Sequence, residues 1–201
     1  REQEEYQIEF KVPQDYKLAS GLKEISKNQL TAESFDQLVE SPIIASPTLR
    51  EYKYQVNDIP FHIWIQGESE VDEHKMCQDF KDFTVEQIKR FGSFPVKDYH
   101  FLFQLTPYDS YHGVEHTNST VILLGNKGQV LKERYEALLG ICSHELYHTW
   151  NIKSIRPIEM QPYDYSKENY TKLGYVAEGV TTYMGDLMLK RSKVFSWDQF
   201  F

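Results

Sequence analysis

Along the first 66 residues, apolar positions alternate with polar ones at a period of two. "YQIEFKVP" sets Tyr6, Ile8, Phe10 and Val12 on one face. "YKYQVNDIPFHIWIQGE" does the same with Tyr52, Tyr54 and Val56, then with Phe61, Ile63 and Ile65, about a turn at Asn57-Asp58. Successive strand side chains point to opposite faces, so this alternation predicts half-buried strands and an antiparallel, partly solvated sheet. Between the two stretches, "TAESFDQLVESPI" predicts a short helix stopped by Pro42.

Near Gly67 the period changes. Met76, Phe80, Phe83, Gln87, Ile88 and Phe91 follow helical spacing, which ends at Gly92. "DYHFLFQL" (98–105) and "STVILLG" (119–125) predict two more strands, and "GNKG" (125–128) predicts a turn. Residues 131–150 predict a second long helix. Residues 173–190 predict a third, closed by Lys190 and Arg191, which suit the negative end of its dipole. Pro157 and Pro162 keep the tyrosine-rich connection between them from being one helix. Strands first and helices later predict an α+β fold. A boundary is expected near residues 67–70, with an amino-terminal β domain over 1–68 and a second domain over 69–201.

Composition narrows the class. A chain of 201 residues, 40% of them hydrophobic, is long enough to bury a proper core. A net charge of −8 leaves no basic surplus to displace counterions, which argues against nucleic acid as a partner and is compatible with a cationic substrate such as a peptide amino terminus. Cys77 and Cys142 do not make a disulfide framework. No stretch approaches the ~20 apolar residues of a membrane span. The chain opens at "REQEEY" without a Met, and no signal peptide is visible. A fragment or processed product is therefore expected, with compartment and oligomeric state left open.

The candidate chemistry lies in "CSHELYHTWNIKSIRP" (142–157). On the second helix, Leu131, Tyr135, Leu138, Cys142 and Leu146 form one stripe; Ala137, Ile141, His144 and His148 form another. From residue 137 the helix is apolar nearly all round, so it should be buried. Two imidazoles and the Glu145 carboxylate are expensive there unless compensated. His144 and His148 stand one helical turn apart and project from one face. Imidazoles at that spacing can share a zinc ion, while Glu145, one step round the helix, sits where a general base for water belongs. Catalytic zinc takes three protein ligands. The downstream carboxylates are Glu159, Asp164, Glu168, Glu178 and Asp186. Glu178 is the best of these, being the lone carboxylate in the first turns of a mostly apolar helix. Thr182 and Asp186, one and two turns further on, are candidates to orient the histidines. Asn151 reads as a residue that ties down the following loop.

"HELYHTWNIKSIRP" followed by "YVAEGVTTYMGDLML" resembles the glycyl aminopeptidase family of metallopeptidases (family 61 of the metallo class), whose members often carry a PDZ domain. The family pattern is a His-Glu-two-residues-His helix running into Trp-Asn and an Ile/Val-Arg-Pro stretch, then a Glu-Gly helix. Trp150, Asn151, Ile155, Arg156, Pro157, Glu178 and Gly179 occupy those places. "YHGVEHTNSTVILLG" and "FDQLVESPI" are similar to two further family segments. The resemblance implies a thermolysin-like catalytic domain behind the amino-terminal β region, truncated at its carboxyl end. It also implies one zinc ion held by His144, His148 and Glu178, with Glu145 as catalytic base.

The likeness further makes Gly113 and Glu115 substrate-binding residues. In related aminopeptidases a Gly-x-Met-Glu-Asn strand lines the cleft, and its glutamate grips the substrate's free amino group. Val114 and His116 depart from that pattern. The expected activity is zinc-dependent hydrolysis of a peptide or protein substrate, releasing small amino-terminal residues such as glycine. A zinc endopeptidase and a non-catalytic zinc-bearing peptide-binding module are the alternatives. The likeness to thermolysin-like folds, where a further Tyr or His donor for the oxyanion comes from a helical region well after the third ligand, implies a donor beyond Phe201; Tyr111, Tyr147, Tyr163, Tyr165, Tyr170 and Tyr183 are present with none preferred.

Overall fold

The structure is a computed structural model that describes residues 4–67, 70, 72–125 and 133–200. The amino-terminal part is built of short strands: β1 (Tyr6–Glu9), β2 (Lys17–Ser20), β3 (Lys23–Ser26) and β4 (Gln29–Ala32), then a short helix α1 (Phe35–Val39), then β5 (Ile43–Ser46). They form two antiparallel sheets, one ordered β1-β4-β3 and one pairing β2 with β5. The expected short helix is α1. It starts where Ser34 accepts a hydrogen bond from the Gln37 amide, and it ends ahead of Pro42.

Next come β6 (Arg50–Val56) and β7 (Ile59–Gln66), a hairpin turning at Asn57, whose φ of 54° asparagine tolerates. The first long helix, α2 (Glu73–Phe91), ends at Gly92 as its sequence predicts. There φ is 84°, and the glycine amide donates to the Ile88 carbonyl at 2.7 Å. Strands β8 (Tyr99–Leu105), β9 (Tyr111–Glu115) and β10 (Ser119–Leu124) follow, then α3 (Tyr135–His148). The expected turn over 125–128 and the first residues of the helix expected from 131 lie outside the described residues, apart from Gly125. The connection carries only a 3-10 turn, Ile158–Met160. The third predicted helix divides into a π-helical turn, Tyr175–Val180, and α4 (Thr181–Arg191); a short α5 (Trp197–Phe200) follows. No helix among the described residues is long and apolar enough to cross a membrane.

The central sheet has five strands in the order β6-β7-β8-β10-β9. Its two outer pairs are antiparallel, but β7, β8 and β10 run parallel. Alternation predicts a strand without its direction, so the parallel core was not visible in the pattern. The expected boundary near residue 68 falls within the span of this sheet. β7, ahead of it, pairs with β8, after it, through partners such as Ile63 with Phe101, so the sheet runs across that point.

Each face of this sheet has its own cover. Phe61, Ile63, Tyr99, Phe101 and Phe103 point to one side and pack with Phe80 and Phe83 of α2 and with Leu138, Cys142 and Leu146 of α3. Each of the fully buried phenylalanines contributes about 2 kcal/mol by leaving water. On the other face Trp64, Leu102 and Val121 meet Ala19 of β2, Ile44 of β5 and Leu49, just ahead of β6. The His144, Glu145 and His148 motif lies on α3, pressed between the sheet, α2 and α4.

Beside that second interface, the His100 ring lies flat on His62 at 4.3 Å and accepts a hydrogen bond from the Trp64 indole at 3.1 Å. Burial, and then the neighbouring His62 and Lys53, hold His100 far below its usual range, at about 3. The folded chain therefore keeps this ring neutral, while the unfolded chain takes up a proton near 6.5. Stability from this group is complete above about pH 6.5 and falls as the pH drops towards 3. Denaturant titrations of wild type and His100→Gln should show the variant's deficit at pH 7 shrinking by pH 4.5. A gap that stays constant would mean that the ring is not held neutral.

Candidate metal centre and active site

Helix α3 is buried on almost every side, as its composition requires. Leu138, Leu139, Ile141, Cys142, Ser143, Glu145, Leu146, Tyr147 and His148 are all buried. A small polar network fixes its neighbours. Gln87 of α2 donates to the Ser143 carbonyl at 2.8 Å, and the Ser143 hydroxyl donates to the Gly185 carbonyl of α4 at 2.7 Å. Gly185 permits this approach, because a side chain there would begin 3.1 Å from the His144 backbone. The motif helix and the helix behind Glu178 are thereby locked together.

The predicted ligands converge. His144 Nε2 and His148 Nε2 are 2.9 Å apart, and Glu178 Oε2 lies 3.3 Å from the first and 3.6 Å from the second. Donors about 2.0–2.1 Å from one tetrahedral zinc stand about 3.3 Å from each other, so the triangle has the right size. The tautomer of His148 also agrees. His148 Nδ1 donates to the Asn151 carbonyl at 2.9 Å, which leaves Nε2 with its lone pair. His144 Nδ1 meets the Thr182 hydroxyl at 3.2 Å. Two ring lone pairs and a carboxylate oxygen aimed at one point repel one another unless a cation lies between them. These residues fit a divalent ion.

Glu178 stands in the π-helical turn, which widens the helix just ahead of α4. The turn after α3 is equally specific. Ile152 adopts φ 104°, costly for a β-branched residue by about 1–3 kcal/mol. Several bonds hold it there: the Asn151 amide donates to the Val176 carbonyl and the Thr181 hydroxyl, each at 2.9 Å, and Ser154 donates to the Thr149 carbonyl at 2.7 Å. Asn151 does tie down the loop, as expected. It also orients His148 and links the motif helix to the turn carrying Glu178, two roles that sequence reasoning missed.

Glu145 lies on the sheet side, where Oε2 accepts a bond from Thr120 of β10 at 3.3 Å. A methyl group on Gly113 would overlap the Glu145 carboxylate, so β9 needs glycine there. Glu115, further along β9, has a carboxylate oxygen within 4.8 Å of the ligand atoms of Glu145 and His148. Burial, then the Glu115 charge, pushes Glu145 up to about 8. Burial, then His148, pushes His144 down to about 4. A nearby cation favours ionised Glu145 and neutral imidazoles.

Among the described residues, the acidic and imidazole groups close enough to share an ion are His144, His148 and Glu178, and Glu115, Glu145 and His148. Glu159, Asp164, Glu168 and Asp186 join neither. Thr182 meets the expectation for a residue behind a histidine, whereas Asp186 makes no hydrogen bond to either ring. Of the tyrosines weighed as oxyanion donors, Tyr147 is buried against Phe91 and leaves the list.

Comparison with known proteins places this geometry. The family model described as M61 glycyl aminopeptidase matches residues 137–201, and the peptidase M61 N-terminal domain matches residues 1–47. Among solved structures, an aminopeptidase N family protein from Idiomarina loihiensis superposes with a TM-score of 0.87 at 26% identity. The match covers 98% of this chain and 36% of that one. A two-domain M1 zinc metallopeptidase shares the fold at 15% identity. Its complex with L-tryptophan gives a TM-score of 0.50 and its complex with L-arginine 0.53, each match covering 96% of this chain and 40% of that one. No curated protein matches. Fold and family models together define a peptidase-type domain. The two matches place both ends of the chain beside the M61 glycyl aminopeptidase family, and the chain spans about a third of the length of the Idiomarina protein.

Gly113→Ala should displace the Glu145 carboxylate while the fold persists. Peptide hydrolysis is expected to fall at least about 100-fold, with thermal stability and metal content close to wild type. Full activity in this variant would show that the Glu145 position is not set by β9.

Proposed function

We propose that this chain carries the metal site of a zinc-dependent aminopeptidase that releases small amino-terminal residues such as glycine. The observation that carries the reading is the triangle of His144, His148 and Glu178 donor atoms, with Glu145 beside it on the same helix. Bound zinc would supply Lewis acidity to a water molecule and a peptide carbonyl. Glu145, held between Thr120 and the bare backbone of Gly113, takes the proton from that water and passes it to the leaving amine.

Among the described residues, the edge strand β9 has a hydrogen-bonded strand neighbour only on its β10 side. Its free edge suits an extended peptide lying alongside as a further strand. Glu115 at the end of that strand pairs with the substrate's free ammonium group, which fixes cleavage near the amino terminus. The preference for glycine rests on the family description, not on a measured pocket.

Two measurements test this. Glu145→Ala should lose hydrolysis by at least about 1000-fold and still retain one equivalent of zinc by elemental analysis. Hydrolysis that survives the change would remove Glu145 from the reaction. For Glu115→Gln, turnover of free-ended peptides should drop while that of amino-acetylated peptides stays at its low wild-type level. An equal loss on both would favour an endopeptidase.

A further inference from the structure

The turn joining β9 to β10 is held from outside the catalytic sheet. Glu40, at the end of α1 and inside the segment matching the N-terminal family domain, places its carboxylate Oε2 2.5 Å from the Lys153 ammonium. The two side chains are 15% and 9% exposed, so this charge pair is largely withdrawn from water. The same oxygen accepts a bond from Thr117 at 3.3 Å. The next residue, Asn118, donates to the Gly21 carbonyl and to Asp98, both at 2.9 Å. Gly21 has no room for a side chain, because one would run into Asn118. The amide of His116 closes the turn onto the Ser119 carbonyl at 2.8 Å.

Both ends of this clasp lead to the candidate active site. Lys153 sits in the turn directly after the metal helix, and its amide donates to the His148 carbonyl at 3.1 Å. Thr117 comes two residues after Glu115. β9 is an edge strand, paired on one side only, so its far end lacks the lateral support that an inner strand receives. One amino-terminal carboxylate thus ties the segment behind His148 to the turn behind Glu115.

We propose that Glu40 is a positioning residue: through Lys153 and Thr117 it sets the distance between Glu115 and the metal cluster, and so makes the amino-terminal domain part of the substrate-binding apparatus. The proposal rests on the reading of Glu115 as the group that receives the substrate's ammonium. A partly dry ion pair suits this role, because its strength depends steeply on geometry and a lone charge in its place is poorly tolerated. Small drifts of a binding group carry large penalties in affinity and rate.

The test uses the intact protein in a Glu145→Gln background, which prevents turnover, with triglycine as the calorimetric probe and amino-acetylated triglycine as control. Adding Glu40→Gln should weaken triglycine binding by about tenfold, the scale of one charge-assisted contact, and leave binding of the acetylated peptide and metal content unchanged. The pair Thr117→Val and Asn118→Ala, which leaves the ion pair intact and alters only the β9–β10 turn, should weaken it in the same direction by about threefold. Exchanging the charges, Glu40→Lys with Lys153→Glu, should restore part of the lost affinity.

Unchanged triglycine affinity in both the Glu40 variant and the turn variant would overturn the proposal. So would a loss that strikes both peptides alike or follows loss of metal, since that is the mark of a general structural role. Glu115→Gln serves as the reference. If it weakens triglycine and the Glu40 and turn variants do not, only this proposal fails. If Glu115→Gln itself has no effect, the reading of Glu115 fails first.

Discussion

The central constraint is electrostatic. A helix buried on nearly every side carries two imidazoles whose Nε2 atoms stand 2.9 Å apart, with a carboxylate from another helix brought to 3.3 and 3.6 Å. Three acceptors this close repel one another unless a cation or a proton lies among them. The surrounding structure holds the atoms in that arrangement. Ser143 and Gly185 let α3 and α4 approach, and Asn151 and Thr182 turn the rings. The π-helical turn presents Glu178.

The central sheet supplies the remaining side of the site. Its parallel middle strands are covered on both faces, by α2 and α3 on one and by the amino-terminal strands on the other. Among the described strands, β9 lies at the edge and pairs only with β10. Gly113 gives Glu145 its place against that strand, and Glu115 stands further along it.

Much of this was legible in residue order because the relevant signals are local. The spacing of His144, Glu145 and His148 on one apolar helix needs only helical geometry to suggest a shared ion. The end of α2 at Gly92 and the start of α1 at Ser34 follow from backbone preferences of single residues. Glu178 was the best of several carboxylates from its place in a mostly apolar helix, and the family resemblance strengthened that choice. Asn151 was read as a loop anchor, but its carbonyl, the atom that orients His148, is common to every residue type and leaves no trace in a sequence. The Glu40–Lys153 pair joins positions 113 residues apart, and nothing in either neighbourhood announces the other.

The sequence by itself determined which segments form strands and helices, which helix is buried all round, and which side chains have the chemistry of a metal site, because each depends on residues within a turn or two of one another. Tertiary structure alone decided that β7, β8 and β10 run parallel, that the sheet continues past residue 68, and that Glu115 lies close to Glu145. Those outcomes arise from pairing and packing between distant segments. Alternation is the same in parallel and antiparallel strands, and a carboxylate's role is set by what the fold brings against it.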